Sequence, residues 1–195
     1  MSKLFIYTDG SSRGNPGPGG WGVVMKFNEK EKELSGGEKY TTNNRMELLA
    51  VIQALEAVKT TKYPVEVYSD SKYVIDSIEK GWVFNWAKKS DFGGKKNEDL
   101  WRRFLKIYPN FNIKFNWVKG HNGHIENERC DVLATTEALK FVKWDVDYKN
   151  WYFFYHSLEE RKNVKLFGNY KKTHQLDGFL FNLLQDKYLQ YKWCS

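Results

Sequence analysis

Four carboxylates, Asp9, Glu47, Asp70 and Asp131, stand in distinctive local sequences and in an order that lets secondary structure carry them to one point. A cluster of Asp and Glu without Cys or His suits Mg²⁺, which prefers oxygen ligands and keeps some of its waters. Two such ions roughly 3.5–4 Å apart can activate a water, neutralise the charge gathering on a phosphodiester phosphorus and stabilise the departing 3′ oxygen. The layout is that of a two-metal phosphodiesterase. Without metal, such a cluster repels itself and raises some of its own pKa values.

The elements that must position these groups follow from hydrophobic period. Alternating apolar residues predict a strand over 3–8 with Asp9 at its end, and a second strand over 65–69 that delivers Asp70. Leu48, Val51, Ile52, Leu55 and Val58 recur at spacings of three and four, which predicts an amphipathic helix over 43–58 with Glu47 in its first turn. A loop bearing glycine and histidine, Trp117 to His124, precedes a helix over 126–140 that carries Asp131 beside Cys130, Leu133, Ala134 and Ala138. Strands over 20–28 and 31–40, joined by charged residues around Asn28 to Lys30, read as a hairpin. Short helices within 71–87 and 98–107 and a strand over 112–118 complete the order. Strands separated by helices need crossover connections, so the later strands run parallel to the first in a mixed sheet with helices on its faces.

Each carboxylate also has an ordinary reading. Glu47, three residues after Asn44, can close a capping-box-like helix start, Asp9 can be a turn aspartate before Gly10, Asp70 can cap the next helix, and Asp131 can be a solvated helix residue. In these contexts and together, they read as one site.

At this point the residues resemble a known family. Thr8-Asp9-Gly10-Ser11, Gly14-Asn15-Pro16-Gly17-Pro18-Gly19-Gly20, Thr41-Thr42-Asn43-Asn44-Arg45-Met46-Glu47-Leu48, Ser69-Asp70-Ser71 and Trp117-Val118-Lys119-Gly120-His121, through Asn127-Glu128-Arg129-Cys130-Asp131, resemble type I ribonuclease H. The resemblance covers roughly residues 1 to 141 and implies an α/β, ribonuclease H-like fold: a five-stranded mixed sheet of order 3-2-1-4-5 flanked by helices. It implies that Asp9 bridges two Mg²⁺ ions, with Mn²⁺ as a substitute, that Glu47 and Asp70 complete the site of one, and that Asp131 holds the other. It also implies a proton-moving role for His121, whose imidazole titrates near physiological pH. His124 is read as organising its loop, and His156 and His174 as surface or packed residues.

Substrate contacts are read from other residues. Asn15, Asn43 and Asn44 place short amides beside the carboxylates, suited to 2′-hydroxyls and base edges in a minor groove. Trp82 to Lys96 interleaves Trp82 and Trp86 with Lys88, Lys89, Lys95 and Lys96, and resembles the family's basic protrusion in shortened form. Lysines there suit phosphates and aromatics suit sugars and bases; the ordinary reading is a solvated lysine cluster on a packed aromatic helix. Lys72 departs from the uncharged polar residue that many relatives carry after Asp70-Ser71.

Composition agrees and decides little. The formal charge of +7 and pI of 9.2 suit a polyanionic partner. Cys130 and Cys194 read as free thiols of a reducing compartment. No secretory h-region follows Met1 and no apolar run approaches a membrane span, so a soluble, cytoplasmic protein without membrane contact is expected.

Residues 1–141 are expected to form the catalytic domain and 142–195 an extension outside the resemblance. The extension holds 14 of the chain's 33 aromatics, which is too aromatic for a disordered tail. Phe179, Leu180, Leu183, Leu184, Tyr188 and Tyr191 predict a terminal amphipathic helix over 178–192. The segment is expected to pack on the core, extend the nucleic-acid surface or mediate self-association. The expected activity is hydrolysis of the RNA strand of RNA/DNA hybrids. The alternatives are another nuclease of the same superfold and a hybrid-binding module without catalysis.

Overall fold

A computed structural model describes residues 2–120 and 123–142, all within the unit Met1–Lys143. His121 and Asn122, the extension beyond Val142 with its terminal helix, and any self-association through it lie outside the described residues. Strands β1 (Leu4–Ser12), β2 (Gly17–Phe27), β3 (Lys30–Thr41), β4 (Val65–Ser69) and β5 (Ile113–Trp117) form one sheet of order β3-β2-β1-β4-β5. β1 to β3 are antiparallel, while β4 pairs parallel to β1 and β5 parallel to β4. The expected mixed sheet and its order are therefore observed. Asn28, at φ 52°, turns the β2–β3 hairpin, a backbone region that asparagine enters more readily than most residues.

Two strands run further than their alternation predicts. β1 continues past Thr8 to Ser12 and β2 begins at Gly17, because Asp9 to Ser12 pair with Gly22 to Gly19. Gly17 and Gly19, outside the expected strand, are ladder residues. Asp9 thus lies inside β1, beyond the last residue of β1 that pairs with β4, rather than at a strand end.

Helix α1 (Asn43–Glu56) buries Met46, Leu48 to Ile52, Ala54 and Leu55, far more than one stripe. A helix apolar nearly all round must be covered on both sides, and α1 lies between the sheet and α4 (Glu98–Ile107). The consecutive apolar run Leu48 to Ile52 goes beyond the stripe of Leu48, Val51, Ile52 and Leu55. The connection from β4 to β5 also holds α2 (Lys72–Glu79) and α3 (Trp82–Trp86). There Trp101, fully buried, packs edge-on against Phe104 at 5.7 Å and Trp86 at 6.2 Å, and its indole N–H donates to the Tyr73 hydroxyl at 2.8 Å.

The opposite face of the sheet receives α5 (Ile125–Leu139), which lies over β2, β1 and β3. Its buried residues, Asn127, Cys130, Ala134 and Ala138, recur at three or four and are small. They meet Gly20 and Gly22 of β2, where a Cβ would collide with the carbonyl oxygens of Ala134 and Cys130. Glycines on the strand and small side chains on the helix let α5 approach the strand that neighbours β1. Among the described residues no helix is long and apolar enough to cross a membrane.

Candidate active site

Register brings the first two carboxylates together. Tyr7 pairs with Tyr68 and Thr8 with Ser69 across the parallel β1–β4 ladder, so Asp9 and Asp70 are the next residues on each chain. Side chains alternate across a sheet, which puts both aspartates on the face of Tyr7 and Tyr68, whose rings stack at 5.1 Å. Asp9 pairs with Gly22, on the same face and directly under α5. Asp131, the residue after Cys130 on α5, joins the cluster from above.

Glu47 arrives from the other side of the sheet. Gly10 points its missing side chain at the backbone of Met46 and Glu47, where a Cβ would run into the Glu47 amide nitrogen. That close approach seats α1 against the end of β1. Thr42 occupies the helix cap without a side-chain cap bond, so Glu47 is the fifth helical residue, in the second turn rather than the first. It closes no capping box, and its carboxylate accepts from the Asn43 side-chain amide at 2.8 Å and from the Ser71 hydroxyl. Asp70 caps nothing either: Ser71 is the cap of α2, accepting from the Val74 N–H at 3.3 Å.

The electrostatics are those of uncompensated negative charge. Asp9, 8% exposed, is pushed up to about 8 by burial and then by the charges of Asp70 and Asp131, with the Gly10 N–H opposing and Glu47 adding. Glu47 is pushed up to about 7, mainly by burial and also by Asp70, with the bonds from Ser71 and Asn43 opposing. None of the four carboxylates joins an ion pair among the described residues, although Glu33, Glu56, Asp99 and Glu126 all do. Their bonded partners are neutral: the Gly10 N–H to Asp9 at 2.7 Å, Asn43 and Ser71 to Glu47, and the Thr135 hydroxyl to Asp131 at 3.3 Å. Among the described residues no three acidic, histidine or cysteine side chains close to coordination spacing, and like charges with no cation between them have no reason to. An oxygen-only set of carboxylates without ion-pair partners, two of them desolvated, fits a hard divalent cation.

A pH dependence follows from these shifts. Both folded-state pKa values lie above the ordinary values of 3.8 and 4.5. The stability due to protonation is therefore fully present below the unfolded values and is lost as pH rises through about 7 and about 8. Metal-free protein should accordingly lose this contribution between roughly pH 4 and pH 8, and a divalent cation should raise the unfolding temperature more at the upper end. Thermal unfolding in EDTA and in excess MgCl₂ at both pH values is the check. A cation-induced gain that does not grow with pH contradicts the assignment.

The remaining predicted site residues distribute as follows. Asn15 is exposed in the β1–β2 turn, Asn44 is exposed at the start of α1, and Asn43 is turned to Glu47. Lys88, Lys89, Lys95 and Lys96 are exposed on the segment after α3. Trp82 is 44% exposed with the Lys80 ammonium 5.0 Å from its ring. Trp86 is half-buried against Phe92 and Trp101, with the Lys95 ammonium 5.8 Å away. Tyr73, Ser77, Trp82, Trp86 and Lys95 line one open groove. Gly120 abuts the Asp70 carboxylate, and the Trp117 indole donates to the Asp70 carbonyl at 3.0 Å with Lys72 over its ring. His124 is exposed at the α5 cap position and makes no side-chain cap bond. Sequence reasoning missed Ser71, Tyr73 and Lys80. Ser71 carried a signal, since a serine just before a helical run is a cap.

Comparison with known proteins agrees with this geometry. The RNase H family pattern matches residues 1–139. Ribonuclease H of Desulforamulus reducens is 54% identical over 142 residues, 71% of this chain and 89% of that protein. Ribonuclease HI of Helicobacter pylori is 51% identical over 143 residues, 73% of this chain and 98% of that one. Among solved structures, LC9-RNase H1, described as a type 1 RNase H with the type 2 active-site motif, superposes with a TM-score of 0.65 at 32% identity, covering 73% of this chain and 74% of that one. LC11-RNase H1 in complex with RNA/DNA hybrid superposes with a TM-score of 0.54 at 30% identity, covering 71% and 98%.

Proposed function

This chain belongs to the RNase H family of ribonuclease H enzymes, and from that premise we propose that it hydrolyses the RNA strand of RNA/DNA hybrids, leaving 5′-phosphate and 3′-hydroxyl ends. The observation that carries the reading is the convergence of four carboxylates from β1, α1, the end of β4 and α5, with no cationic partner among the described residues. Asp9, Glu47, Asp70 and Asp131 are the residues that would hold divalent metal, Mg²⁺ by their all-oxygen chemistry. Two such ions, when bound, supply the activated water and the charge that stabilises the leaving oxygen. His121 moves a proton to or from the reacting oxygens. A cytoplasmic setting, in keeping with the free, buried Cys130 thiol, is part of the proposal.

The hybrid is held by groups outside the cluster. Asn15, exposed in the β1–β2 turn, and Asn44, exposed at the start of α1, offer amides for the minor groove. The groove of Trp82 and Trp86, with Lys95 at its wall and Lys88, Lys89 and Lys96 nearby, takes the DNA strand through phosphate contacts and stacking. Incubating labelled RNA/DNA hybrid, double-stranded RNA and double-stranded DNA with Mg²⁺ and with EDTA tests the function. Cleavage of the hybrid alone, and only with Mg²⁺, is expected. Cleavage of duplex DNA points to another nuclease of the superfold, and binding without cleavage to a hybrid-binding module.

Replacing Lys88, Lys89, Lys95 and Lys96 by alanine should weaken hybrid binding and flatten its dependence on salt, by roughly 0.7–0.9 in log-log slope for each phosphate that is no longer neutralised. An unchanged slope returns these lysines to the solvated surface.

We further propose that residues 1–141 are the catalytic domain and 142–195 a folded addition to it. The Helicobacter relative is almost wholly matched by 143 residues, which supports a domain that functions without the addition. Stopping the chain after Phe141 should preserve metal-dependent cleavage and lower stability or hybrid affinity. A truncated protein that folds but does not cleave defeats this division.

A further inference from the structure

Glu47, half-buried, is held by two hydrogen bonds and, among the described residues, no ion pair. Each of its oxygens is engaged, Oε1 by the Asn43 side-chain amide at 2.8 Å and Oε2 by the Ser71 hydroxyl. A carboxylate cannot donate while ionised, so Asn43 presents its nitrogen. The direction of the Ser71 bond is equally fixed. That hydroxyl accepts from the Val74 N–H, and its single hydrogen is left for Glu47. Ser71 is 4% exposed, so no bulk water competes for it.

Both donors are neutral, and this distinguishes Glu47 from the ion-paired carboxylates elsewhere on the chain. Glu33 and Glu56 are each gripped by two nitrogens of one arginine. An arginine or lysine on Glu47 would neutralise the charge that a metal needs and would compete for the same oxygens. Neutral donors fix the orientation of the carboxylate and favour its ionised form while leaving its charge unspent. The two donors also arrive from separate elements. Asn43 opens α1, one residue after the Thr42 cap, and Ser71 caps α2 immediately after Asp70. Ser71 therefore fixes the rotation of Glu47 relative to the strand end that carries the next carboxylate.

We infer that Asn43 and Ser71 are positioning residues for Glu47, a neutral clamp that presets this carboxylate for a divalent cation. The inference rests on the metal-site reading above and gives Asn43 a task other than contact with the hybrid.

The test uses the full chain, with Mn²⁺ as the probe, titrated calorimetrically in the absence of nucleic acid. Asn43→Ala and Ser71→Ala should each weaken Mn²⁺ binding roughly 10–100-fold, the usual scale for the residues that orient a metal ligand. Hybrid affinity measured in EDTA should stay within about twofold, and Ser71→Thr, which keeps the hydroxyl, should restore Mn²⁺ affinity. Ser71→Ala also removes the cap of α2. Asn43 makes no cap bond, so its variant decides the matter if the serine variant does not fold. Unchanged Mn²⁺ affinity in Asn43→Ala, or a loss confined to hybrid binding in EDTA, overturns the clamp. Glu47→Gln separates the layers: if it binds Mn²⁺ like the parent protein, the metal-site reading itself fails, whereas loss there with none in Asn43→Ala sinks only the clamp.

Discussion

Asp9→Asn and Asp70→Asn should each leave an enzyme that binds hybrid and does not cut it. The groove of Tyr73, Trp82, Trp86 and Lys95 is untouched by either change, while the charge that places metal is removed, so turnover should fall by roughly 10⁴-fold or more with little change in hybrid affinity. Asp9 adds a second, opposite signature. Its carboxylate is buried and pushed up to about 8 by desolvation and by Asp70 and Asp131, so the ionised form is a burden on the metal-free fold. Asparagine keeps an oxygen for the Gly10 N–H and carries no charge. Asp9→Asn should therefore unfold at a higher temperature than the parent in EDTA at alkaline pH, as expected where an active site holds destabilising charge. A variant with parental turnover would falsify the metal assignment. An inactive variant that is also less stable in EDTA would leave the assignment standing and remove the electrostatic account of it.

His121→Ala is the second large effect expected. Gly120 lies against the Asp70 carboxylate, and the Val118 N–H is anchored on the Ser69 carbonyl at 3.0 Å, so the loop leaves β5 beside one of the carboxylates proposed to hold metal. The next residue along it is the imidazole. Losing positioned acid–base assistance should lower turnover by roughly 10²–10⁴-fold and leave hybrid affinity nearly unchanged. The pH profile of the residual activity should also lose an inflection near neutrality. If the whole loss falls on KM, His121 holds substrate and moves no proton.

The elements that carry the carboxylates were legible where one local period dominated. β4 and α4 sit at their predicted bounds, and α5 lies within one residue of its own. The ends of β1 and β2 were not, because Gly17 to Gly20 carry the composition of a turn while pairing partners across the sheet hold them extended. No window of a single strand contains that information. That α1 is covered on both sides can be read from its unbroken apolar run Leu48 to Ile52, but which element supplies the second cover cannot, since α4 lies some 50 positions downstream. For the site, residue identity pointed to carboxylates, and only the folded chain shows that their donors are neutral. Asn43 reads by type as a substrate amide; the helix start at residue 43 was legible, but the turn of Asn43 toward Glu47, which lies one helical turn on in the second turn rather than the first, was not.

The seam between β2 and α5 also bears on how this enzyme can be changed. Replacing glycine by alanine is a common route to a more heat-resistant protein, because it stiffens the unfolded chain. At Gly20 and Gly22 the added methyl would press on the carbonyls of α5 and lift Asp131 away from Asp9. In a mutational survey scored by activity, these positions would behave like ligands of the metal while touching neither metal nor nucleic acid. The distance between α5 and β2, and with it the placement of Asp131 over Asp9, depends on two residues that carry only hydrogen, and a search for stabilising substitutions in this family member should leave both as glycine.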